Sequence, residues 1–245
     1  MLSHGFHNGT WRLAMLLFLS AVGPAVAMAV WVYLKDRREP EPVPFLLRCF
    51  AYGMLAVIPA AVLESLALGS AGSLARQGTD LGRAFAAFGV AGLVQEGLKF
   101  LVLLLLIYRA PSFTEPLDGV VYATFVGLGF ATVENLEYVT RGGYAVAVSR
   151  AIFSVPGHGF LGVIMGYYLG RARFAATGAG LYLRRAFAIP WLLHGTYDFF
   201  ALGRFENSGL AWGFLAVVAV TWVVALARLR ALVAVSRRDS GPHRG

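Results

Sequence analysis

GLVQEGLKFLVLLLLIY, residues 92–108, has the apolar density of a membrane helix, yet Gln95, Glu96 and Lys99 lie in its middle rather than at its ends. An ionisable group at the bilayer centre costs at least about 2.5–3.5 kcal/mol on insertion scales, so it requires a partner, a water-filled cavity or a function. The surrounding sequence is of the same kind. Of 245 residues, 58% are hydrophobic and only 14% charged, with a mean hydropathy of +0.67, far from the balance of a soluble domain. About 20 consecutive apolar residues span a bilayer, and such runs occur at roughly 11–34, 44–68, 84–108, 118–139, 148–170, 186–203 and 208–227. The expected fold is all-α, a polytopic transmembrane helical bundle of about seven spans forming a single integral membrane domain over residues 1–245.

The net charge of +8 follows the loops and forms no basic patch, which argues against a nucleic-acid partner. With seven spans, one side would carry Arg12, Arg76, Arg83, Arg141, Arg150 and Arg204. The more numerous remaining basic residues, Lys99 excepted, fall to the other side, so the positive-inside rule puts the N-terminus outside and the C-terminus in the cytoplasm. The expected location is a bacterial or archaeal cytoplasmic membrane. Ala25-Val26-Ala27 has the spacing of a signal-peptidase site, but the preceding region is scarcely basic and the apolar run continues to Leu34, so a first span is the stronger reading. Cys49 is the single cysteine, which excludes an intrachain disulfide and a multi-cysteine metal cluster. KDRREPEPVP, residues 35–44, reads as a charged, proline-rich linker between the first two spans.

Small residues mark close helix approach. His158, Gly162, Gly166 and Gly170 recur at intervals of four and share one helix face, and Ala123, Gly127 and Ala131 repeat the pattern in the fourth run. The His158 ring then points into the bundle. Further ionisable or polar groups within apolar runs are Glu134 and Asn135 in the fourth run, and His194 and Asp198 in the sixth. Counted at 1.5 Å per residue, they fall in one band with Glu96 and His158. Neutral imidazoles, carboxylates and a spare acid are what a divalent metal and its activated water require. The other proteolytic signatures are missing: there is no H-E-x-x-H, no G-x-S-x-G, although Ser154 lies four residues before His158, and no G-x-G-D to accompany Tyr197-Asp198.

QEGLK (95–99), DGVVYATFVGLGFATVEN (118–135), HGFLG (158–162) and HGTYD (194–198) resemble, in order and spacing, the four motifs of the PrsW family of intramembrane metalloproteases, distantly related to the CAAX prenyl-protease and bacteriocin-processing group. The resemblance covers about 95–198, within a family-like core of about 84–203. It implies metal-dependent proteolysis of another membrane protein, for instance a single-pass anti-sigma factor already clipped outside. On this basis His158 and His194 are expected to ligate a divalent metal, zinc by preference, with Glu134 or Asp198 completing the shell. Glu96 is the expected general base, Lys99 offsets its charge, and Asn135 donates to the substrate carbonyl or its oxyanion. Two positions depart from the family pattern. Ala123 replaces a glycine by another small residue, whereas Gln95 stands where the first motif usually has its first glutamate. If that position supplied the base, the chain would bind metal and cleave slowly or not at all. The rival readings are haem ligated by His158 and His194, an ion or proton path through the acids and Lys99, and a silent relative that binds membrane helices.

Overall fold

The computed structural model describes residues 4–36, 39–71, 79–204 and 206–239, and every regular element among them is helical. In chain order these are α1 (His4–Tyr33), α2 (Val43–Ser70), α3 (Asp80–Ile107), α4 (Pro116–Ile152), α5 (Ser154–Arg173), α6 (Ala179–Gly203) and α7 (Ser208–Asp239). Of the arginines counted for the two faces, Arg37, Arg38, Arg76 and Arg244 lie outside the described residues, as do the side chains of Arg12, Arg237 and Arg238.

Helix starts follow local chemistry. Thr79 caps α3 by accepting the Gly82 N–H at 3.1 Å. Glu115 and Asp118 form a reciprocal capping box at the start of α4, with Pro116 in the first turn, where its missing N–H costs nothing. α4 is the axis of the bundle: it is buried without interruption from Leu117 to Thr132 and packs against α5, α2 and α1. The glycine stripes meet as an antiparallel seam. A Cβ on Gly162 would lie 2.7 Å from the Ala123 carbonyl oxygen, one on Gly127 would lie 2.8 Å from that of His158, and Gly170 abuts Pro116. Gly53 and Gly129 bring α2 onto α4 in the same way. Leu66, Leu105 and Val223 are among many large apolar side chains on the outside, a surface suited to lipid.

Five stretches of the described residues are long and apolar enough to cross a membrane: Met15–Tyr33, Val43–Ser70, Asp80–Ile107, Pro116–Arg173 and Ser208–Ser236. The difference from seven expected runs has two causes. The fourth and fifth runs join in one 58-residue helical stretch, because residues 140–147, expected as a loop, remain helical apart from a reversal at Gly143, where φ is 69°. A positive φ is strained for most side chains and free for glycine. The antiparallel seam shows this stretch to be two opposed legs. The sixth run lies within α6, whose Arg184, Arg185, His194 and Asp198 dilute its apolar character.

Candidate active site

In α3 a π-helical segment, Phe85–Gly92, immediately precedes the QEGLK turns. Such segments leave carbonyls without their usual partners; the Phe88 carbonyl here accepts the Trp191 indole N–H from α6 at 2.8 Å. Gly92 and Gly195 let the two backbones meet, since a Cβ on Gly92 would lie 3.2 Å from the Gly195 nitrogen. One turn further along, Glu96 therefore reaches His194.

The contacts form a single network across four helices. His194 Nδ1 is 2.8 Å from Glu96 Oε1. Lys99 Nζ donates to the same oxygen at 2.8 Å and lies 2.8 Å from His158 Nδ1. His158 Nε2 is 3.0 Å from Glu134 Oε2, which also accepts from Arg150 at 2.5 Å. The two imidazoles stand edge to face with centroids 5.2 Å apart, and Lys99 lies over the Phe130 ring at 4.3 Å. Lys99 is a donor only, so His158 Nδ1 is the acceptor and the ring proton faces Glu134.

Beside this network is a cavity of about 250 Å³, whose wall includes Glu64, Gln95, Glu134, His158, His194 and Asp198. Asp198 Oδ2 is 3.4 Å from His194 Nε2. Glu96 and Lys99, 1% and 3% exposed, lie behind the imidazoles rather than on that wall, and each answers its burial with a partner, the other. Asn135 does not reach the wall either. Its amide donates to the Ala21 carbonyl of α1 at 2.9 Å and its oxygen accepts from Arg150 at 3.0 Å, so it ties helices together away from the cavity wall. Ser154 lines the cavity, but among the described residues no hydrogen bond joins its hydroxyl to an imidazole.

Two residues of the site escaped the sequence reading. Glu64 of α2 accepts from Gln95 Nε2 at 3.0 Å, and the same amide donates to Glu134 Oε1 at 3.2 Å. Glu64 carried the same signal as Glu96, an acid inside an apolar run, and was findable. Arg150 reads in sequence as a loop charge, because the turn that brings it back onto Glu134 and Asn135 depends on Gly143.

Glu96, His158 and His194 each offer a ligand atom, and these atoms lie within 4.8 Å of one another. Two imidazoles and a carboxylate suit a divalent metal. The Lys99 ammonium lies 2.8 Å from both Glu96 Oε1 and His158 Nδ1, so it holds the position that an ion bound by these atoms would take.

The PrsW family intramembrane metalloprotease model matches residues 41–227. Protease PrsW of Geobacillus kaustophilus is 36% identical over 226 residues, covering 92% of this chain and 96% of the relative. Protease PrsW of Bacillus subtilis is 38% identical over 187 residues, 76% and 83% of the two chains, and that of Clostridioides difficile is 32% identical over 222 residues, 87% and 90%. No solved structure matches the chain. A family match across most of the length, on a helical membrane bundle with imidazoles and carboxylates gathered at its centre, establishes that the chain belongs to the PrsW family of intramembrane metalloproteases.

Proposed function

We propose that the chain hydrolyses a peptide bond of a membrane-embedded, single-pass protein, such as an anti-sigma factor, at the cavity wall formed by His158, His194, Glu134, Gln95 and Glu64, with the N-terminus outside and the C-terminus cytoplasmic. The observation that carries the reading is the convergence of Glu96, His158 and His194, from three helices, beside a polar cavity inside an apolar bundle. These three side chains would hold the metal, zinc by ligand preference, once the Lys99 ammonium turns away and frees Glu96 Oε1 and His158 Nδ1. Bound there, the ion supplies Lewis acidity that polarises a peptide carbonyl and makes water a stronger acid.

Glu96 is enclosed by Lys99 and His194, so it serves as a ligand rather than a proton carrier. Glu134 accepts from Arg150 and Gln95 and lies against His158, so its oxygens are already engaged by the protein. Among the described residues Glu64 has one donor, Gln95, and it fronts the cavity. Glu64 is therefore the proton acceptor in this reading, and the carboxylate absent at position 95 is supplied from α2. Among the described residues Gln95 Oε1 accepts no hydrogen bond, and a small shift of the side chain, which already borders the cavity, would offer it to a substrate backbone N–H. Asp198 orients His194.

The haem reading loses support, since the imidazoles stand edge to face rather than opposed across a porphyrin-sized slot. Metal content by mass spectrometry, on wild type and a His158→Ala, His194→Ala double variant, tests the proposal. Near one zinc per chain, lost in the variant, is expected. A folded, zinc-supplemented wild type without metal would overturn it.

A further inference from the structure

At the other end of α4, three carboxyl groups are buried together. Asp36 follows α1, Glu41 is in the linker before α2, and Asp118 is in the first turn of α4; they are 2%, 4% and 1% exposed. Each offers an oxygen within 4.8 Å of the others. At 1.5 Å per residue, Asp118 is about 24 Å along α4 from Glu134, so the cluster is separate from the candidate active site.

The hydrogen bonding of the cluster is incomplete. Asp118 Oδ2 accepts the Thr114 and Glu115 N–H groups at 2.6 and 2.8 Å, but its Oδ1 accepts nothing. Glu41 is bonded to the Tyr122 hydroxyl, whose single proton also lies within reach of the Ser112 carbonyl, 2.9 Å from the phenol oxygen. Both oxygens of Asp36 are buried, and among the described residues neither forms a full hydrogen bond, the Glu39 backbone amide exerting only a weaker attraction. Among the described residues no lysine or arginine forms an ion pair with any of the three; Arg173 of the same region directs its donors to the carbonyls of Tyr108, Ala110 and Phe113. Burial, with the charges of Asp118 and Glu115 nearby and only the Glu39 backbone amide opposing, pushes Asp36 up to about 7. Burial likewise pushes Glu41 up to about 8, with Asp118 and Asp36 adding to the shift and Tyr122 opposing it. Among the described residues no cation balances the three acids, and buried carboxylates without a counter-charge are unfavourable unless a cation or protons neutralise them.

We propose that Asp36, Glu41 and Asp118 form a second metal site, specific for a hard divalent cation, Mg²⁺ or Ca²⁺, which fastens the linker between α1 and α2 to the start of α4. The donors are oxygen only, the set preferred by these ions and unlike the imidazole-containing centre. The two oxygens of Asp36 and Oδ1 of Asp118 are the positions left for it.

The test is a Mn²⁺ titration, followed by electron paramagnetic resonance, on the detergent-purified full chain and on Asp36→Asn, Glu41→Gln and the His158→Ala, His194→Ala double variant, each checked for helix content. Wild type is expected to bind one Mn²⁺ at this site with an affinity on the order of 0.1–1 mM, weakened at least about tenfold by either acid substitution and retained in the histidine variant. Protons compete for the same oxygens, so binding tightens from about pH 6 to about pH 8.5. Competition by Mg²⁺ and by Ca²⁺ then names the ion, by which displaces Mn²⁺ at lower concentration. Binding unchanged in both acid variants, binding lost only with the histidines, or no saturable binding up to about 10 mM in folded wild type would overturn the proposal and leave protonation as the way the cluster is neutralised.

Discussion

A glutamine donates where a glutamate accepts, and at position 95 that difference redistributes charge around the cavity. The Gln95 amide ties Glu64 to Glu134; a glutamate there would repel both. Glu64→Gln should lower kcat by about 10²–10⁴-fold, the usual contribution of a positioned base, while leaving zinc content unchanged. The exchange Glu64→Gln with Gln95→Glu should recover much of that loss by returning a carboxylate to the same wall. Full activity in Glu64→Gln, or loss of metal with it, would remove the base assignment. Glu96→Gln should behave differently, losing zinc together with cleavage, and metal analysis of that single variant separates ligand from base.

At the scale of the helix, the seam between α4 and α5 depends on the absence of side chains. Gly162 and Gly166 lie directly on the backbone of residues 119–124, so neither has room for a Cβ. Gly162→Leu should destabilise the protein by about 1–3 kcal/mol through overpacking, read as a lower melting temperature in detergent. It should also reduce metal content, because His158 is on the same face of α5. Gly180→Ala, on an exposed turn of α6 with nothing within 4 Å of the new Cβ, should stay within about 0.5 kcal/mol of wild type. Equal effects of the two substitutions would show that the seam contributes nothing to stability.

For the whole molecule, buried polar chemistry lies at the centre and at both ends of an otherwise apolar bundle, with Arg83 paired to Asp80 and Glu206 at the start of α3. Network members are paired within the protein, Lys99 with Glu96 and Arg150 with Glu134, so neither charge pair faces lipid. Orientation sets which compartment the second acidic cluster faces. A reporter fused after Gly245 should be active on the cytoplasmic side, placing Asp36, Glu41 and Asp118 towards that side; activity on the opposite side would invert the topology.

Read alone, the sequence determined the helical membrane class, the family, and the stripe that turns His158 inward, because apolar length and small-residue spacing are local properties of a helix. It also singled out Glu96, Lys99, Glu134, His158, His194 and Asp198, since a polar group in an apolar run stands out whatever its partners are. Their division of labour was not legible. Asn135 is as polar as its neighbours, yet its donor goes to Ala21 of α1, a contact across 114 positions of sequence. Glu64 becomes a partner of Gln95 only when α2 packs on α3, and Arg150 joins Glu134 only through the turn at Gly143. The Asp36, Glu41 and Asp118 cluster reads in sequence as two linker acids and a helix cap. Burial and missing partners are relations between helices, and tertiary packing alone decided them.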